Sequence, residues 1–312
     1  MKSQFPTEQS VEGRFVRQPD AFRDWVTADG SSGYPAVAGR YHLYVSYACP
    51  WAHRVIITRR LKGLGDAIGM TAVDPVRDER GWAFREGEGF SEDPVNGFAF
   101  LSEAYRATDA SFKGRYTVPV LWDKETKRIV SNSDDDIMRM FQTEFGAIGQ
   151  AGPDLYPEAH RAEIEALNER IYQCVNNGVY RAGFATRQKA YESAVSELFN
   201  ALDELEQRLS TRRYLVTDHP VETDWRLFPT LVRFDSVYVS HFKCSLRRIV
   251  DYPNLWGYLR DLYQVPGVAE TVKMDQIKRH YYYTHDEINP TRIIPVGPAL
   301  DFDAPHGREG LK

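Results

Sequence analysis

Cys49 is the residue of this sequence with the clearest potential for chemistry. It follows the alternating apolar run Tyr41–Ser46, which predicts a β-strand, and Pro50 directly after it favours the first turn of a helix running to about Leu64. The first turn of a helix presents unpaired N–H groups and about half a positive charge. A thiol placed there is stabilised as the thiolate, and its pKa falls from about 8.5 toward roughly 3.5–7.5. The pattern therefore predicts a nucleophilic thiolate; the alternative is a buried structural cysteine.

The other two cysteines do not complete a redox pair with Cys49. Cys174 falls on the apolar stripe of a predicted helix and Cys244 lies in a helical run, so we interpret both as core residues. None of the three belongs to a CxxC motif, and neither a zinc site nor a dithiol motif is expected. The thiol that resolves a disulfide at Cys49 must then come from outside the chain, and glutathione is the obvious candidate. His53 and Arg54, one turn into the helix, can add to the positive field.

Val118-Pro119 is the second feature of chemical interest. It stands before a predicted strand, after the Cys-Pro helix, in a segment of thioredoxin-like order. In such folds a cis proline beside the cysteine exposes the preceding backbone groups, which then pair with a peptide-like thiol. Only about 5–6% of X-Pro bonds are cis in general, so this prediction depends on the position of the dipeptide in the chain.

Around these two features the pattern predicts an α/β domain in the order β-α-β-β-β-α. A second strand is expected at Met70–Val73, and a hairpin at Val118–Trp122 and Lys127–Val130. Asp134–Phe141 is predicted to be a helix, with acidic residues in the first turn where the helix dipole favours them. The long segment between the second and third strands is predicted to be irregular.

Beyond a Gly- and Pro-rich linker the pattern becomes helical. Apolar residues repeat at three and four positions from Ile164 to Cys174 and from Tyr191 to Leu209. Further helices are expected at Arg226–Tyr238, Pro253–Tyr263 and Val268–His280. We therefore expect an N-terminal arm (1–39), an α/β thioredoxin-like domain (40–145), a linker (146–158), an all-α domain (159–282) and a C-terminal tail over the surface (283–312).

Composition excludes several classes of protein. The 312 residues carry a net charge of -5 and show no basic face, so a nucleic-acid partner is not expected. No stretch approaches the roughly 18 apolar residues of a membrane span, and the N-terminus lacks the apolar core of a secretory signal. His280 and His285 have a spacing that fits no helical ligand pair, so no metal site is expected. We expect a cytoplasmic protein.

Nine segments resemble the glutathionyl-hydroquinone reductases, the xi class of glutathione transferases. Together they involve nearly everything from residue 40 to 298, and several are long and distinctive. The segments are Ser46–Arg54, Gly81-Trp82, Thr117–Asp123, Val175–Ala185, Arg226–Asp235, His241–Cys244, Asp251–Trp256, Ile277–Tyr282 and Ile288–Pro290.

The resemblance implies a glutathione transferase fold, a homodimer and a reaction. In that reaction a glutathionyl-hydroquinone and glutathione give the free hydroquinone and glutathione disulfide, through a mixed disulfide of Cys49 with glutathione. Tyr180 and Tyr282 match positions that face the aromatic substrate in the family. The implied glutathione contacts are Trp82, the backbone of Val118 beside Pro119, Arg115, and the pair Ser133 and Asp134.

The chain departs from the family pattern at two places. Where the family has a Glu-Ser pair that holds the γ-glutamyl end of glutathione, this chain has Ser133-Asp134. Loss of the serine hydroxyl and gain of a negative charge should weaken that grip, although Asp134 or Asp135 can hold the ammonium group instead. The second departure is Val221, where a helix-capping Thr is expected before Asp224, at an expected cost of about 1 kcal/mol.

Two other functions remain open from the sequence. An omega-like thioltransferase or dehydroascorbate reductase would use the same Cys49 on a different substrate. A non-catalytic homologue that binds aromatic ligands is favoured only by the altered γ-glutamyl segment.

Overall fold

Strand β1 (Tyr41–Val45) lies inside a four-stranded sheet. In this computed structural model, which describes residues 8–149 and 152–311, β1 pairs in parallel with β2 (Gly69–Ala72) and antiparallel with β3 (Val120–Asp123). A hairpin joins β3 to β4 (Arg128–Ser131), so the order is β2-β1-β3-β4. Every residue of β1 is buried, as expected of an inner strand covered on both faces. The predicted strands and hairpin are confirmed.

Two helices begin next to residues that the sequence analysis selected as candidate site residues. Helix α1 (Pro50–Leu61) follows β1. Helix α3 (Asp134–Thr143) follows β4 and packs against α1. Helix α1 ends three residues earlier than predicted. Gly63 there adopts a left-handed backbone (φ +62°), and its N–H donates to the carbonyl of Arg60, which closes the helix.

A helix is also present in the segment predicted to be irregular, so that prediction was wrong. Helix α2 (Leu101–Thr108) packs against β4, and the order of elements is β-α-β-α-β-β-α. Its start is capped by Glu103, whose carboxylate accepts the N–H groups of Ala99 and Phe100, both at 2.9 Å. The position before the helix is Phe100 and not Ser, Thr, Asp or Asn, so the usual start signal is missing.

The sheet belongs to a compact unit that is discontinuous in sequence. It comprises Gln18–Pro153 together with Thr271–Thr284, so the last helix, α9 (Met274–Thr284), belongs to the same unit as the sheet. The amide of Gln276 donates to the carbonyl of Glu88 at 2.9 Å. The predicted domains are continuous in sequence, whereas this unit is not.

The second unit is helical and contains the described residues 8–17, 154–270 and 285–311. The predicted helix Arg226–Tyr238 is divided here, because a π-helical turn, Phe234–Tyr238, follows the regular helix. A second π-helical turn, Tyr172–Asn176, follows the first helix of the unit. The α-helices are α4 (Arg161–Ile171), α5 (Gly178–Gly183), α6 (Gln188–Leu209), α7 (Glu222–Arg233) and α8 (Pro253–Tyr263).

The C-terminal tail is anchored within this unit and does not only cover its surface. The buried guanidinium of Arg308 donates to the carbonyls of Leu209 and Arg213, each at 3.0 Å. Residues 1–7 of the predicted arm, Gln150 and Ala151 of the predicted linker, and Lys312 of the tail lie outside the described residues. Among the residues described, no helix is long and apolar enough to cross a membrane.

The start of α7 is stabilised by one buried carboxylate. Asp224 accepts the N–H of Val221 at 2.9 Å, the N–H of Leu215 at 3.0 Å and the hydroxyl of Tyr258 at 2.7 Å. Burial raises the pKa of Asp224, although these hydrogen bonds act in the opposite direction. Val221 occupies the capping position, and its side chain makes no capping hydrogen bond.

We therefore predict that Val221→Thr raises the free energy of unfolding by about 1 kcal/mol, because the new hydroxyl adds a capping acceptor for the N–H groups of the first turn, beside the Val221 carbonyl that accepts the N–H of Asp224 at 3.0 Å. Denaturant unfolding at fixed pH measures the change. The matched control is Val232→Thr, at a fully buried position inside the same helix, where an added hydroxyl should destabilise the protein. An unchanged or lowered stability of Val221→Thr would contradict the prediction.

Candidate functional site

Cys49 lies at the start of α1, directly before Pro50. Its N–H donates to the carbonyl of Ser46 at 3.1 Å, and its own carbonyl accepts the N–H of His53 at 3.0 Å, the first bond of the helix. Its backbone is extended, and the side chain is 9% exposed. The predicted strand-Cys-Pro-helix arrangement is confirmed, and it aims the positive end of the helix dipole at the sulfur.

The sheet brings Val118 to the same place. The antiparallel register pairs Tyr44 with Val120, so the end of β1, which leads to Cys49, lies beside the start of β3. The thiol of Cys49 donates to the carbonyl of Val118 at 3.5 Å. The Val118–Pro119 peptide bond is cis, as expected. The sulfur of Cys49 thus lies against the backbone that precedes the cis proline, an arrangement that suits a peptide-like thiol ligand.

Arg54, one turn into α1, is paired with two carboxylates. It is buried, and its Nη1 lies 2.9 Å from Asp134 and 3.2 Å from Asp135, so its positive charge is shared with two carboxylates at the start of α3. His53 is also buried, and its Nε2 lies 2.8 Å from the hydroxyl of Thr271. Arg54 therefore ties α1 to the first turn of α3.

The first turn of α3 contains the predicted pair Ser133 and Asp134. Ser133 is the capping residue, and its hydroxyl accepts the N–H of Asp136 at 3.4 Å. Asp136 in turn makes two hydrogen bonds with Arg23, at 2.6 and 2.7 Å. Ser133 is thereby engaged in starting the helix, and Asp134 faces Arg54.

Trp82 is held by residues that the sequence analysis did not select. Its ring stacks on His280 of α9, with ring centres 5.0 Å apart and planes at 24°, and Arg77 lies 5.4 Å from the ring centre. The Nδ1 of His280 lies 2.7 Å from the carbonyl of Pro75. The same helix carries the predicted Tyr282, which is buried in this unit.

The remaining predicted residues are Arg115 and Tyr180. Arg115 precedes β3, and its backbone N–H donates to the side chain of Gln18 at 3.3 Å. Tyr180 lies in α5 of the helical unit, where its ring stacks on Phe184 at 6.2 Å and meets the edge of Phe242 at 5.4 Å. Every predicted site residue except Tyr180 belongs to the sheet unit.

The two other cysteines differ from Cys49 in their surroundings. Cys244 is fully buried, and burial raises the pKa of its thiol far above the ordinary value. The sulfur of Cys174 lies 3.0 Å from the guanidinium of Arg170. Within residues 8–149 and 152–311, no group of three or more His, Cys, Asp and Glu side chains is arranged to hold a metal ion.

Comparison with known proteins identifies relatives over nearly the whole chain. Residues 48–144 match the family description "Glutathione S-transferase, N-terminal domain" and residues 188–261 match "Glutathione S-transferase, C-terminal domain". The glutathionyl-hydroquinone reductase YqjG of Escherichia coli is 51% identical over 96% of this chain and 94% of its own length. The glutathionyl-hydroquinone reductase PcpF of Sphingobium chlorophenolicum is 47% identical over 93% of this chain and 92% of its own.

Solved structures agree with these matches. The glutathione-bound structure of YqjG superposes with a TM-score of 0.91 at 52% identity, covering 93% of this chain and 96% of that one. A xi-class glutathione transferase from Natrialba magadii gives a TM-score of 0.91 at 52% identity, covering 93% of this chain and 89% of that one. The predicted glutathione transferase fold is confirmed.

The position of Cys49 predicts that it is the most reactive thiol of the folded chain. We expect iodoacetamide to modify Cys49 at pH values where an ordinary thiol of pKa about 8.5 is largely unreactive, and to leave buried Cys244 unmodified. Peptide mapping by mass spectrometry across pH measures both rates. Cys49→Ser is the control, since it should remove the fast phase. A pH dependence at Cys49 like that of free cysteine would contradict this prediction.

Proposed function

The chain belongs to the xi class of the glutathione transferase family, and from this premise we propose that it is a glutathionyl-hydroquinone reductase. It converts a glutathionyl-hydroquinone and glutathione into the free hydroquinone and glutathione disulfide. The observation that carries the proposal is the sulfur of Cys49 at the start of α1, 3.5 Å from the backbone of Val118. Glutathione is the co-substrate.

In the first half-reaction the Cys49 thiolate attacks the sulfur of the glutathionyl group. A sulfur–sulfur bond forms and the bond from sulfur to the ring carbon breaks, so the ring is reduced by two electrons. The electron pair left on the ring carbon takes up a proton. We assign that proton donation to the hydroxyl groups of Tyr180 and Tyr282, because an aromatic carbon leaves poorly unless a proton reaches it while a ring oxygen becomes a carbonyl.

In the second half-reaction the thiolate of a second glutathione attacks the mixed disulfide. Its sulfur bonds to the glutathione already held, and the electron pair returns to Cys49 as a thiolate. The helix start that favours the thiolate before the reaction also makes Cys49 a good leaving group at this step, because a thiol of lower pKa leaves faster. The overall change is one ring C–S bond and one S–H bond replaced by one ring C–H bond and one S–S bond.

Glutathione binding is assigned to the same unit that holds Cys49. The backbone of Val118 pairs with the peptide of glutathione, the ring of Trp82 lies against it, and Arg115 supplies a charge. Ser133 and Asp134 face its γ-glutamyl end, where the start of α3 attracts the carboxylate and the Asp134 side chain repels it.

An omega-like thioltransferase or dehydroascorbate reductase is the second candidate. The altered pair Ser133-Asp134 favours it, because a change in the γ-glutamyl pocket is consistent with a shifted thiol or substrate preference. It shares the sulfur chemistry at Cys49 and differs in the leaving group, which is then a thiolate or the enolate of ascorbate. A chain that binds aromatic ligands without turnover is the third outcome of the tests below.

Two further proposals concern the assembly and the location of the protein. We expect a homodimer, which sedimentation or size-exclusion measurements test directly. We expect the protein in the cytoplasm, where a reduced pool of glutathione is available to complete the cycle.

We predict that Cys49→Ala lowers turnover of 2-glutathionyl-hydroquinone by roughly a thousandfold or more, as is typical when a nucleophile is removed. Chromatography quantifies the released hydroquinone and glutathione disulfide together. Cys174→Ala is the matched control and should keep the activity of the unmodified chain. The same preparations are assayed with hydroxyethyl disulfide and with dehydroascorbate.

The reductase is favoured if the kcat/KM for 2-glutathionyl-hydroquinone is the highest of the three substrates. Activity confined to the other two substrates would assign the chain to the second candidate. Binding of the aromatic compound without release of hydroquinone would assign it to the third. Substantial glutathione-dependent turnover in Cys49→Ala would overturn both catalytic functions.

We predict that Asp134→Ser strengthens glutathione binding by about tenfold, since it removes a repelling carboxylate and adds a hydroxyl at the start of α3. Isothermal titration with glutathione at constant ionic strength measures Kd. The control is Asp135→Ser, which removes one negative charge beside the same Arg54 and should change Kd less. Equal or weaker binding in Asp134→Ser would show that its carboxylate does not oppose the ligand.

A further inference from the structure

The described part of the N-terminal arm folds back on itself before it reaches the sheet unit. Gln9 and Phe15 face each other as an antiparallel bridge, and the N–H of Val16 donates to the carbonyl of Glu8 at 2.7 Å. The turn between them passes through Gly13, which has a φ of +78° that side-chain-bearing residues rarely adopt. Residues 8–17 therefore form a defined loop of the helical unit.

This loop is docked on the segment that ends α5. The amide of Gln9 donates to the carbonyl of Phe184 at 2.9 Å, and the N–H of Thr186 donates to the carbonyl of Gly13 at 3.1 Å. The buried ring of Phe15 lies 5.4 Å from that of Phe184. A Cβ added to Gly13 would lie 2.7 Å from a side-chain carbon of Arg187, so the loop fits closely. One helical turn earlier, α5 carries Tyr180.

The docked loop delivers Arg17 to Tyr180. The centre of the Arg17 guanidinium lies 5.0 Å from the ring centre of Tyr180, within the range of a cation–π interaction. Its Nε donates to the side-chain carbonyl of Asn177 at 3.1 Å. Asn177 and Tyr180 are three residues apart and share one face of the helix, so a single guanidinium contacts both. Tyr238 also lies against Tyr180, with ring centres 6.2 Å apart.

We propose that Arg17 is a positioning residue for Tyr180 in the reduction of glutathionyl-hydroquinones, an inference that rests on the function proposed above. The hydrogen bond to Asn177 fixes the guanidinium, and the guanidinium fixes the phenol ring. As the bond from sulfur to the ring carbon breaks, the Tyr180 hydroxyl gives its proton to that carbon. The phenolate left behind lies next to a positive charge, and it recovers a proton from solvent before the next turnover.

The position of Arg17 also assigns a function to the arm. Reduction of a small mixed disulfide expels a thiolate and needs no proton on carbon, so Arg17 should have no part in it. The arm is thus required for the aromatic substrate and dispensable for simple thiol exchange.

The test compares Arg17→Gln, which removes the charge, with Arg17→Lys, which keeps it and loses the fork geometry. The matched control is Arg14→Gln in the same loop, because Arg14 is exposed and pairs only loosely with exposed Glu12, at 3.5 Å. Each protein is assayed for kcat and KM with 2-glutathionyl-hydroquinone and, separately, with hydroxyethyl disulfide. Thermal unfolding of every variant is recorded alongside.

We expect Arg17→Gln to lower kcat for the aromatic substrate by about tenfold with little change in KM. Turnover of hydroxyethyl disulfide should be unchanged. The alkaline limb of the kcat profile for the aromatic substrate should move to higher pH in Arg17→Gln, because a phenol without a neighbouring cation loses its proton less readily. Arg17→Lys should keep the limb near its original position, and Arg14→Gln should behave as the unmodified chain.

Three results would overturn the inference. An unchanged kcat in Arg17→Gln would do so, as would an equal loss with both substrates, which would indicate a merely structural role for the loop. An alkaline limb that stays in place in Arg17→Gln would remove the role of the charge. If the unmodified chain reduces hydroxyethyl disulfide and not the aromatic substrate, the proposed function itself is wrong. This failure can be told apart from failure of the inference about Arg17, because it is seen without any variant. If Arg17→Gln does not fold, Arg17→Lys and the two substrates still decide between positioning and structure.

Discussion

The chemistry proposed for this protein depends on the contact between the Cys49 sulfur and the backbone of Val118. The contact is created by strand register, since the antiparallel pairing of β1 with β3 places Tyr44 opposite Val120 and brings the two chain segments to one end of the sheet. A slip of one residue would turn every side chain of a strand to the opposite face, and the buried apolar residues of β1 oppose such a slip. The fold therefore fixes the position of the Cys49 sulfur through the packing of its core.

Arg54 joins the same helix to the segment where the γ-glutamyl end of glutathione is proposed to bind. A guanidinium that is buried must be paired, because an isolated charge in the protein interior is strongly unfavourable. Its partners are Asp134 and Asp135 at the start of α3. Asp134 stands where the family pattern has Ser, so this departure places a second carboxylate beside the buried guanidinium of Arg54. The residue that is expected to weaken ligand binding thus takes part in joining α1 to α3. The pairing with Arg54 is the physical reason why the chain accommodates the negative charge of Asp134.

The parts of the site that were predictable are those specified by neighbouring residues. Two local patterns are Cys49-Pro50 after an apolar run and Val118-Pro119 before one. The strands and helices beside them could be predicted from these patterns. Helix α2 was missed because Glu103 caps it from inside, without a start signal before it. The stacking of His280 on Trp82 and the pairing of Arg54 with Asp134 join residues distant in the sequence. No periodicity encodes such pairs, and only the folded chain reveals them.

The sulfur chemistry at Cys49 does not by itself choose between the two candidate activities. A thiolate leaves a small disulfide unaided, because it is already a stable anion near neutral pH, whereas an aromatic carbon needs a proton as it leaves. We therefore expect the choice to depend on the hydroxyl groups proposed to meet the ring and on the residues that hold them. For Tyr180 these neighbours are Arg17 and the aromatic rings of Phe184 and Phe242. In the proposed mechanism, substrate preference is accordingly a property of the proton donors and of the arm that positions one of them, while the nucleophile is common to both reactions.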